Sequence, residues 1–111
     1  MTNRAKLHDL VGSAFSIADL LDYQSGAIVS QTLVDEEAVT ITVFAFDEGE
    51  RLSEHTAPHD AILQVVDGTA SVTVGDDEFA VEQGESIVFP ANEPHAVTAS
   101  SAFKMVLTMV R

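Results

Sequence analysis

Three of the four histidines in the chain lie in two short stretches where they could act as metal ligands. His55 and His59 are four residues apart with Pro58 between them, and His95 follows 40 residues after His55. Imidazole is a frequent ligand of divalent metals, and alternate side chains of the strands in a narrow barrel point inward. These positions favour a metal site, although two histidines in a polar turn are also typical of an exposed surface.

Carboxylates beside these histidines widen the candidate chemistry. Glu54 and Asp60 could complete a site of two histidines and one carboxylate, the ligand set of non-haem iron oxygenases. In so acidic a chain, both are also compatible with ordinary solvated side chains. The chain has no cysteine, which excludes disulfides, thiolate metal sites and cysteine catalysis. The sequence contains no motif for a nucleophilic triad, a phosphate-binding loop or a dinucleotide fold.

The charge balance excludes two classes of partner. Eighteen Asp and Glu residues face five Lys and Arg, which gives a formal net charge of -13. Nucleic acids and anionic membranes require a cationic surface that this composition does not provide. No apolar run approaches the roughly 20 residues of a membrane span, and no secretory leader pattern opens the sequence, so a soluble cytoplasmic protein is expected.

The acidic residues are spread along the chain and indicate a solvated acidic surface. Such a surface repels itself at low ionic strength and is tolerated where salt screens it. The composition therefore fits either a halophilic source or an acidic protein from ordinary salt. The halophilic interpretation predicts a melting temperature that rises markedly between low salt and molar KCl in a thermal unfolding scan, and a flat response would exclude it.

The length of 111 residues predicts one domain with a short arm in front of it. We place the arm at residues 1–26 and the main domain at residues 27–111. In the arm, apolar residues recur at helical spacing between Ser16 and Leu21, which predicts a short helix capped by Ser16.

From Ala27 onward, the period of the sequence changes to two, as in β-strands. A strand covered on both faces is predicted at residues 39–46. Further strands are predicted at residues 61–66, 70–74, 79–82, 86–89, 95–99 and 102–110. Asp67-Gly68 and Gly75-Asp76-Asp77 have the composition of hairpin turns. Strands spaced by roughly eight to twelve residues favour an all-β antiparallel sandwich or barrel.

The last predicted strand is apolar on both faces. One face carries Phe103, Met105, Leu107 and Met109, and the other carries Lys104, Val106, Thr108 and Val110. Such a strand is disfavoured at an exposed edge, where unpaired backbone groups invite association. We expect it to be paired within the sheet and covered, with a second subunit as one candidate cover, and the protein is therefore expected to be a homodimer.

Two stretches, GERLSEHTAPHDAILQVVDG and GESIVFPANEPHAV, carry a two-part pattern. In the first, Gly49 is followed after five residues by His55, and Gly68 closes the stretch. In the second, Gly84 is followed by five residues, a proline, four residues and His95. This pattern resembles that of the cupin family, and the resemblance covers nearly the whole chain from residue 27. It implies a double-stranded β-helix, or jelly-roll barrel, of the small single-domain cupin 2 type, which commonly forms dimers.

The resemblance also implies a set of metal ligands, namely two histidines and a glutamate in the first motif and a histidine in the second. His55 and His95 match the first and last of these, whereas Ala57 and Ala61 stand at the other two. His59 is the natural substitute, because a turn through Ala57 could bring its ring toward His55. Three histidines and one or more waters would suit Zn, Ni, Fe or Mn.

Three classes of function remain: a metal-dependent enzyme, a metal- or small-molecule-binding module without catalysis, and a metal-free barrel used for packing or partner binding. We predict a small cupin that binds a divalent metal through His55, His59 and His95, with catalysis left open. A small organic ligand could be oriented by the metal and held by apolar groups of the interior. The candidates for these groups are Phe44, Phe46, Ile87, Phe89 and Met105.

Overall fold

A computed structural model describes residues 5–111 of the chain. The arm contains a single helical turn, α1 (Ala5–His8), and a 3-10 turn at Ile17–Asp19. The rest is built from nine strands. These are β1 (Ile28–Asp35), β2 (Val39–Phe46), β3 (Arg51–His55), β4 (Asp60–Asp67), β5 (Thr69–Val74), β6 (Asp77–Glu82), β7 (Ser86–Phe89), β8 (His95–Thr98) and β9 (Phe103–Val110).

The strands form two antiparallel sheets. The five-stranded sheet has the order β1-β2-β9-β4-β7, and the four-stranded sheet has the order β3-β8-β5-β6. Non-consecutive strands are neighbours in both sheets, so the chain crosses repeatedly from one sheet to the other. This arrangement confirms the predicted all-β jelly-roll fold.

The core lies between the two sheets and follows from alternation along each strand. In β4, Ala61, Leu63 and Val65 are buried while the residues between them are exposed. At the centre of the core, Phe46 of β2 stacks on Phe103 of β9 with ring centroids 4.6 Å apart. Both rings are fully buried, so this aromatic pair stabilises the core at the inner face of the five-stranded sheet.

The turn between β4 and β5 differs from the sequence prediction. Asp67-Gly68 does not close a hairpin, because β4 pairs with β7 and β9 whereas β5 pairs with β6 and β8. The chain instead passes from one sheet to the other at this point. Gly68 has a φ of 75°, and a Cβ added there would lie 2.5 Å from the carbonyl oxygen of Ala102, so only glycine fits. The second predicted hairpin, at Gly75, does join two paired strands, β5 and β6.

The arm also differs from its prediction. Ser16 makes no side-chain cap, and the expected helix from Ser16 to Leu21 is reduced to a 3-10 turn of three residues. The apolar residues that suggested the helix pack on the outer face of the five-stranded sheet instead, against buried Val43 and Val106. No helix within residues 5–111 is long and apolar enough to span a membrane.

This packing explains how the last strand is covered. β9 lies in the five-stranded sheet between β2 and β4, as its apolar character predicts. Its outer face at Val106 is covered by the chain's own arm. Lys104, on the same face, is also buried and donates from Nζ to the carbonyl oxygen of Ala18 at 2.6 Å. The apolar strand therefore gives no argument of its own for a second subunit at this position.

A polar contact completes the attachment of the arm. The hydroxyl of Tyr23 donates to a carboxylate oxygen of Asp67 at the end of β4. The ammonium of Lys104 lies 4.8 Å from the centre of the Tyr23 ring, within cation–π range. Burial raises the pKa of Tyr23 well above its ordinary value, and the hydrogen bond to Asp67 and the charge of that carboxylate raise it further.

This environment leads to a testable result in alkaline solution. The folded protein holds the Tyr23 proton in a pH range where the unfolded chain, titrating near pH 10, has lost it. The stability that comes from this proton is complete below about pH 10 and is lost as the pH rises through the folded pKa. Tyr23 is the only tyrosine, so its phenolate absorbance can be titrated directly. We expect ionisation well above pH 10 in the folded protein and near pH 10 in urea, and coincident curves would contradict this contact.

Candidate metal centre

The two histidines of the motif pattern are brought together by direct pairing of two strands. β3 and β8 are antiparallel neighbours, and His55 lies opposite His95 in their register. The register shifts between Leu52 and His55, where β3 has one residue more than β8. Without this β-bulge, strict alternation would turn His55 away from the face that carries Leu52. The bulge therefore re-aims His55 toward His95.

The imidazole rings meet edge to face. Their centroids are 4.3 Å apart, the ring planes are inclined at 68°, and the two Nε2 atoms are 3.1 Å apart. The opposite nitrogen of each ring faces the backbone carbonyl of the residue two positions earlier. His55 Nδ1 lies 2.8 Å from the oxygen of Ser53, and His95 Nδ1 lies 3.0 Å from the oxygen of Glu93.

These contacts fix which nitrogen carries the proton. A carbonyl oxygen only accepts hydrogen bonds, so Nδ1 donates in both rings, and each neutral ring presents the lone pair of Nε2. Two lone pairs 3.1 Å apart repel each other unless a proton or a metal cation lies between them. The backbone carbonyls therefore favour, in both rings, the tautomer in which a histidine can bind a metal through Nε2.

The surroundings of the two rings are unequal. His95 is buried, and its ring stacks on that of Phe89 with centroids 4.2 Å apart and an angle of 8° between the planes. His55 is exposed at the end of β3. One ring of the pair is therefore fixed in the barrel wall, and the other lies at the exposed end of β3.

His59 is not joined to this pair. It is half-buried in the loop between β3 and β4, and within residues 5–111 no three His, Cys, Asp or Glu side chains form a group that could hold a metal. The loop is fastened at both ends. The amide of Asn92 donates to the carbonyl of Ala57 at 2.7 Å, and the amide of Ala91 donates to the carboxylate of Asp60 at 2.7 Å. Asp60 is thereby engaged in holding the loop.

The structure shows where the residues that depart from the family pattern lie. Ala61 is buried on the inner face of β4 and pairs with Phe89, whose ring stacks on His95. An alanine therefore occupies the place where the pattern has a glutamate ligand. Asn92, in the loop of the second motif, has a φ of 67°, a left-handed conformation that asparagine tolerates.

The apolar side chains proposed to hold a ligand all lie in the interior cluster. Phe46, Phe89 and Met105 are buried within it, and Phe44 and Ile87 are partly buried against it. Phe46 and Met105 are fully enclosed and therefore serve as core. Phe89 has a role that the sequence did not suggest, because it supports the His95 ring.

Comparison with known proteins identifies the class to which this fold and site belong. Residues 42–111 match the family model of the cupin domain. The chain therefore belongs to the cupin family. No curated protein matches the sequence.

Several solved structures share the fold over most of the chain. A conserved protein of unknown function from Streptococcus pyogenes is 32% identical, with a TM-score of 0.86 over 89% of this chain and 87% of that one. A cupin 2 conserved barrel domain protein from Leptotrichia buccalis is 43% identical with a TM-score of 0.84, over 87% of this chain but only 47% of that one. A cupin superfamily protein from Desulfitobacterium hafniense is 24% identical, with a TM-score of 0.85 over 88% and 90% of the two chains.

Proposed function

We propose that this cupin binds a divalent metal ion through Nε2 of His55 and Nε2 of His95. His59 lies apart from this pair and would become a third ligand only on movement of the loop that carries it. The observation that carries the proposal is the facing pair of Nε2 atoms at 3.1 Å, each freed by an Nδ1 contact to a backbone carbonyl. Two nitrogens bound to one tetrahedral zinc at about 2.0–2.1 Å lie roughly 3.3 Å apart, so the separation in the protein suits a shared ion.

The donor set limits which ions are expected. Imidazole nitrogens suit Zn, Ni, Fe and Mn, and no cysteine is present to add a softer donor. A bound metal would act as a Lewis acid that polarises a chelating ligand or lowers the pKa of a bound water. The protein's own contribution is to orient the two rings and to leave the His55 side open to a small organic molecule.

Elemental analysis tests the proposal most directly. The protein is purified without a histidine tag and analysed before and after treatment with a chelator. We expect metal at up to one ion per chain, lost with the chelator and regained on titration with Zn²⁺ in a calorimeter. If untagged protein holds no metal and Zn²⁺ gives no saturable heat, the proposal fails.

That negative result would favour a second candidate function, a metal-free barrel that binds a small molecule or packs against another chain. Its specific support is the pair of alanines, Ala57 and Ala61, at positions where the family pattern has ligands. Calorimetry with Zn²⁺ separates the two candidates, because the metal-free barrel predicts no saturable heat of metal binding.

A gain of affinity is expected on restoring one missing ligand. In Ala61→Glu, a carboxylate extends from the inner face of β4 beside Phe89 and completes a set of two histidines and one carboxylate. The Zn²⁺ affinity measured by calorimetry should rise by at least roughly tenfold. This is the smallest change in affinity that is typical when a residue that only hydrogen-bonds to a metal ligand is replaced. Without metal, the buried carboxylate should lower the melting temperature.

Ala61→Gln is the matched control for this variant. It adds the same volume with a neutral amide, which is a poorer metal ligand, and should show the loss of stability without the gain of affinity. Equal zinc affinities for the glutamate and glutamine variants would place Ala61 outside the reach of the ion.

A further inference from the structure

A second concave site lies between β6 and β7 and borders the histidine pair at Glu93, whose backbone carbonyl faces His95 Nδ1. These are the outermost strands of two different sheets, and the groove between them has a volume of about 540 Å³. Its apolar lining includes Val74, Phe79, Val81, Ile87, Val88 and Pro90. Neither His55 nor His95 lines it, so it is distinct from the proposed metal centre.

The groove is open because the two strands are held at one end only. The turn at residues 83–85 is fastened to β4, where the amide of Gly84 donates to the carbonyl of Val65 and the amide of Val65 donates to the carbonyl of Glu85. Beyond the turn, β6 pairs with β5 and β7 pairs with β4, so the strands diverge into their separate sheets. A wedge with an apolar floor results.

The polar lining of this wedge has one sign of charge. Three carboxylates line it, those of Asp77, Glu85 and Glu93, and no Lys, Arg or His is among its lining residues. The net charge of -13 on the whole chain strengthens the negative potential there. Phe79, with 44% of its surface exposed, adds an aromatic ring at the groove. Carboxylates and an aromatic ring are the two groups that attract organic cations.

We propose that this groove binds a small organic ammonium ion that carries an apolar group. The apolar part lies along Val81 and Ile87, and the ammonium lies near Phe79 and the carboxylates of Asp77 and Glu93 at the open end of the groove. Glu85 lies at the closed end, where its carboxylate accepts from the amide of Glu82. A second copy of the chain is a poor occupant, because pairing the groove with itself would bring two acidic rims together. An anionic ligand is disfavoured for the same reason.

The test uses the full chain and 2-phenylethylammonium as the probe, with the neutral 2-phenylethanol as its matched analogue. Backbone amide chemical shifts in NMR spectra report the site. We expect saturable shifts in β6 and β7 with the ammonium, weaker binding of the alcohol, and weaker ammonium binding as salt is raised. Equal affinity for the alcohol would overturn the proposal. Shifts in β6 and β7 that depend on protein concentration alone would also overturn it, because they would identify a second copy as the occupant.

Single substitutions test which side chains of the groove contribute to ammonium binding. Asp77→Asn and Glu93→Gln should each weaken ammonium binding by roughly two- to fivefold, the range of exposed ion pairs. Phe79→Ala should weaken it by a similar factor through loss of the aromatic contact. Glu78→Gln is the matched control, because Glu78 is the exposed neighbour of Asp77 in β6 but does not line the groove. If Glu78→Gln weakened ammonium binding equally, the cause would be the overall negative potential of the protein surface and not the groove, and the proposal would be overturned.

The groove and the metal centre can be tested apart. The single variant His55→Ala should bind 2-phenylethylammonium as tightly as the original protein, with the same shifts in β6 and β7, because exposed His55 does not line the groove. Loss of binding in this variant would place the probe at the histidines and overturn the groove proposal, whereas loss of metal alone leaves the groove proposal intact.

Discussion

His95→Ala is expected to abolish stoichiometric metal binding. Its Nε2 is one of the two facing donors, and its ring is held by Phe89 and by the carbonyl of Glu93, so no neighbouring group can take its place without rearrangement. Loss of a residue that only hydrogen-bonds to a metal ligand lowers metal affinity roughly 10–100-fold, and removal of a ligand itself should lower the affinity further. Calorimetry with Zn²⁺ and elemental analysis of the purified variant measure the effect.

Three further histidine variants serve as comparisons for His95→Ala. His55→Ala should lose the metal to the same extent, because it supplies the other facing nitrogen. His8→Ala removes a histidine in the arm and should retain full binding. His59→Ala is expected to have a smaller effect than His55→Ala, since the loop that carries it is fastened at Ala57 and Asp60. Retention of metal by His55→Ala or His95→Ala would remove that residue from the site.

Phe46→Ala is expected to destabilise the fold by roughly 3–5 kcal/mol, the usual cost of removing a fully buried phenylalanine. The ring is completely buried and stacked on Phe103, so its removal leaves a cavity between the sheets and takes away an aromatic contact. A loss of this size is a large part of the stability of a small domain. Urea unfolding followed by circular dichroism measures it.

Phe79→Ala is the matched control for stability. Phe79 has 44% of its surface exposed, so the same substitution removes little buried area and should cost far less in urea. A similar loss in both variants would indicate that Phe46 is not at the centre of the core.

The sequence predicted most strands of the fold closely. β2 and β7 were predicted with the observed bounds, and β4, β5, β8 and β9 to within one residue at each end, because turn residues bound runs rich in β-forming residues. β1 and β3 were not assigned as separate strands. β3 is a five-residue strand with one half-buried residue, Leu52, and its pattern contains no alternation to detect. The Asp67-Gly68 turn was misassigned because a turn sequence fixes local geometry, while the choice of partner strand depends on the whole sheet.

The candidate site was predictable in part. The spacing around His55 and His95 suggested that the two rings would meet, and the structure brings them together. The bulge in β3 and the stacking of Phe89 could not be foreseen, because both depend on the register between strands that are distant in sequence. The two carbonyls that orient the rings carry no sequence signal, since every residue has one. The position of His59 depends on loop contacts to Asn92 and Ala91 that spacing does not encode.

The attachment of β3 at the rim of its sheet has a kinetic consequence. β3 pairs only with β8, and their ladder is interrupted before His55. Such a strand should open locally more often than the strands of the interior, and its amide hydrogens should exchange early with deuterium. An ion shared by His55 and His95 would tie β3 to β8, so slower exchange confined to β3 would record occupancy of the centre without any assay of activity.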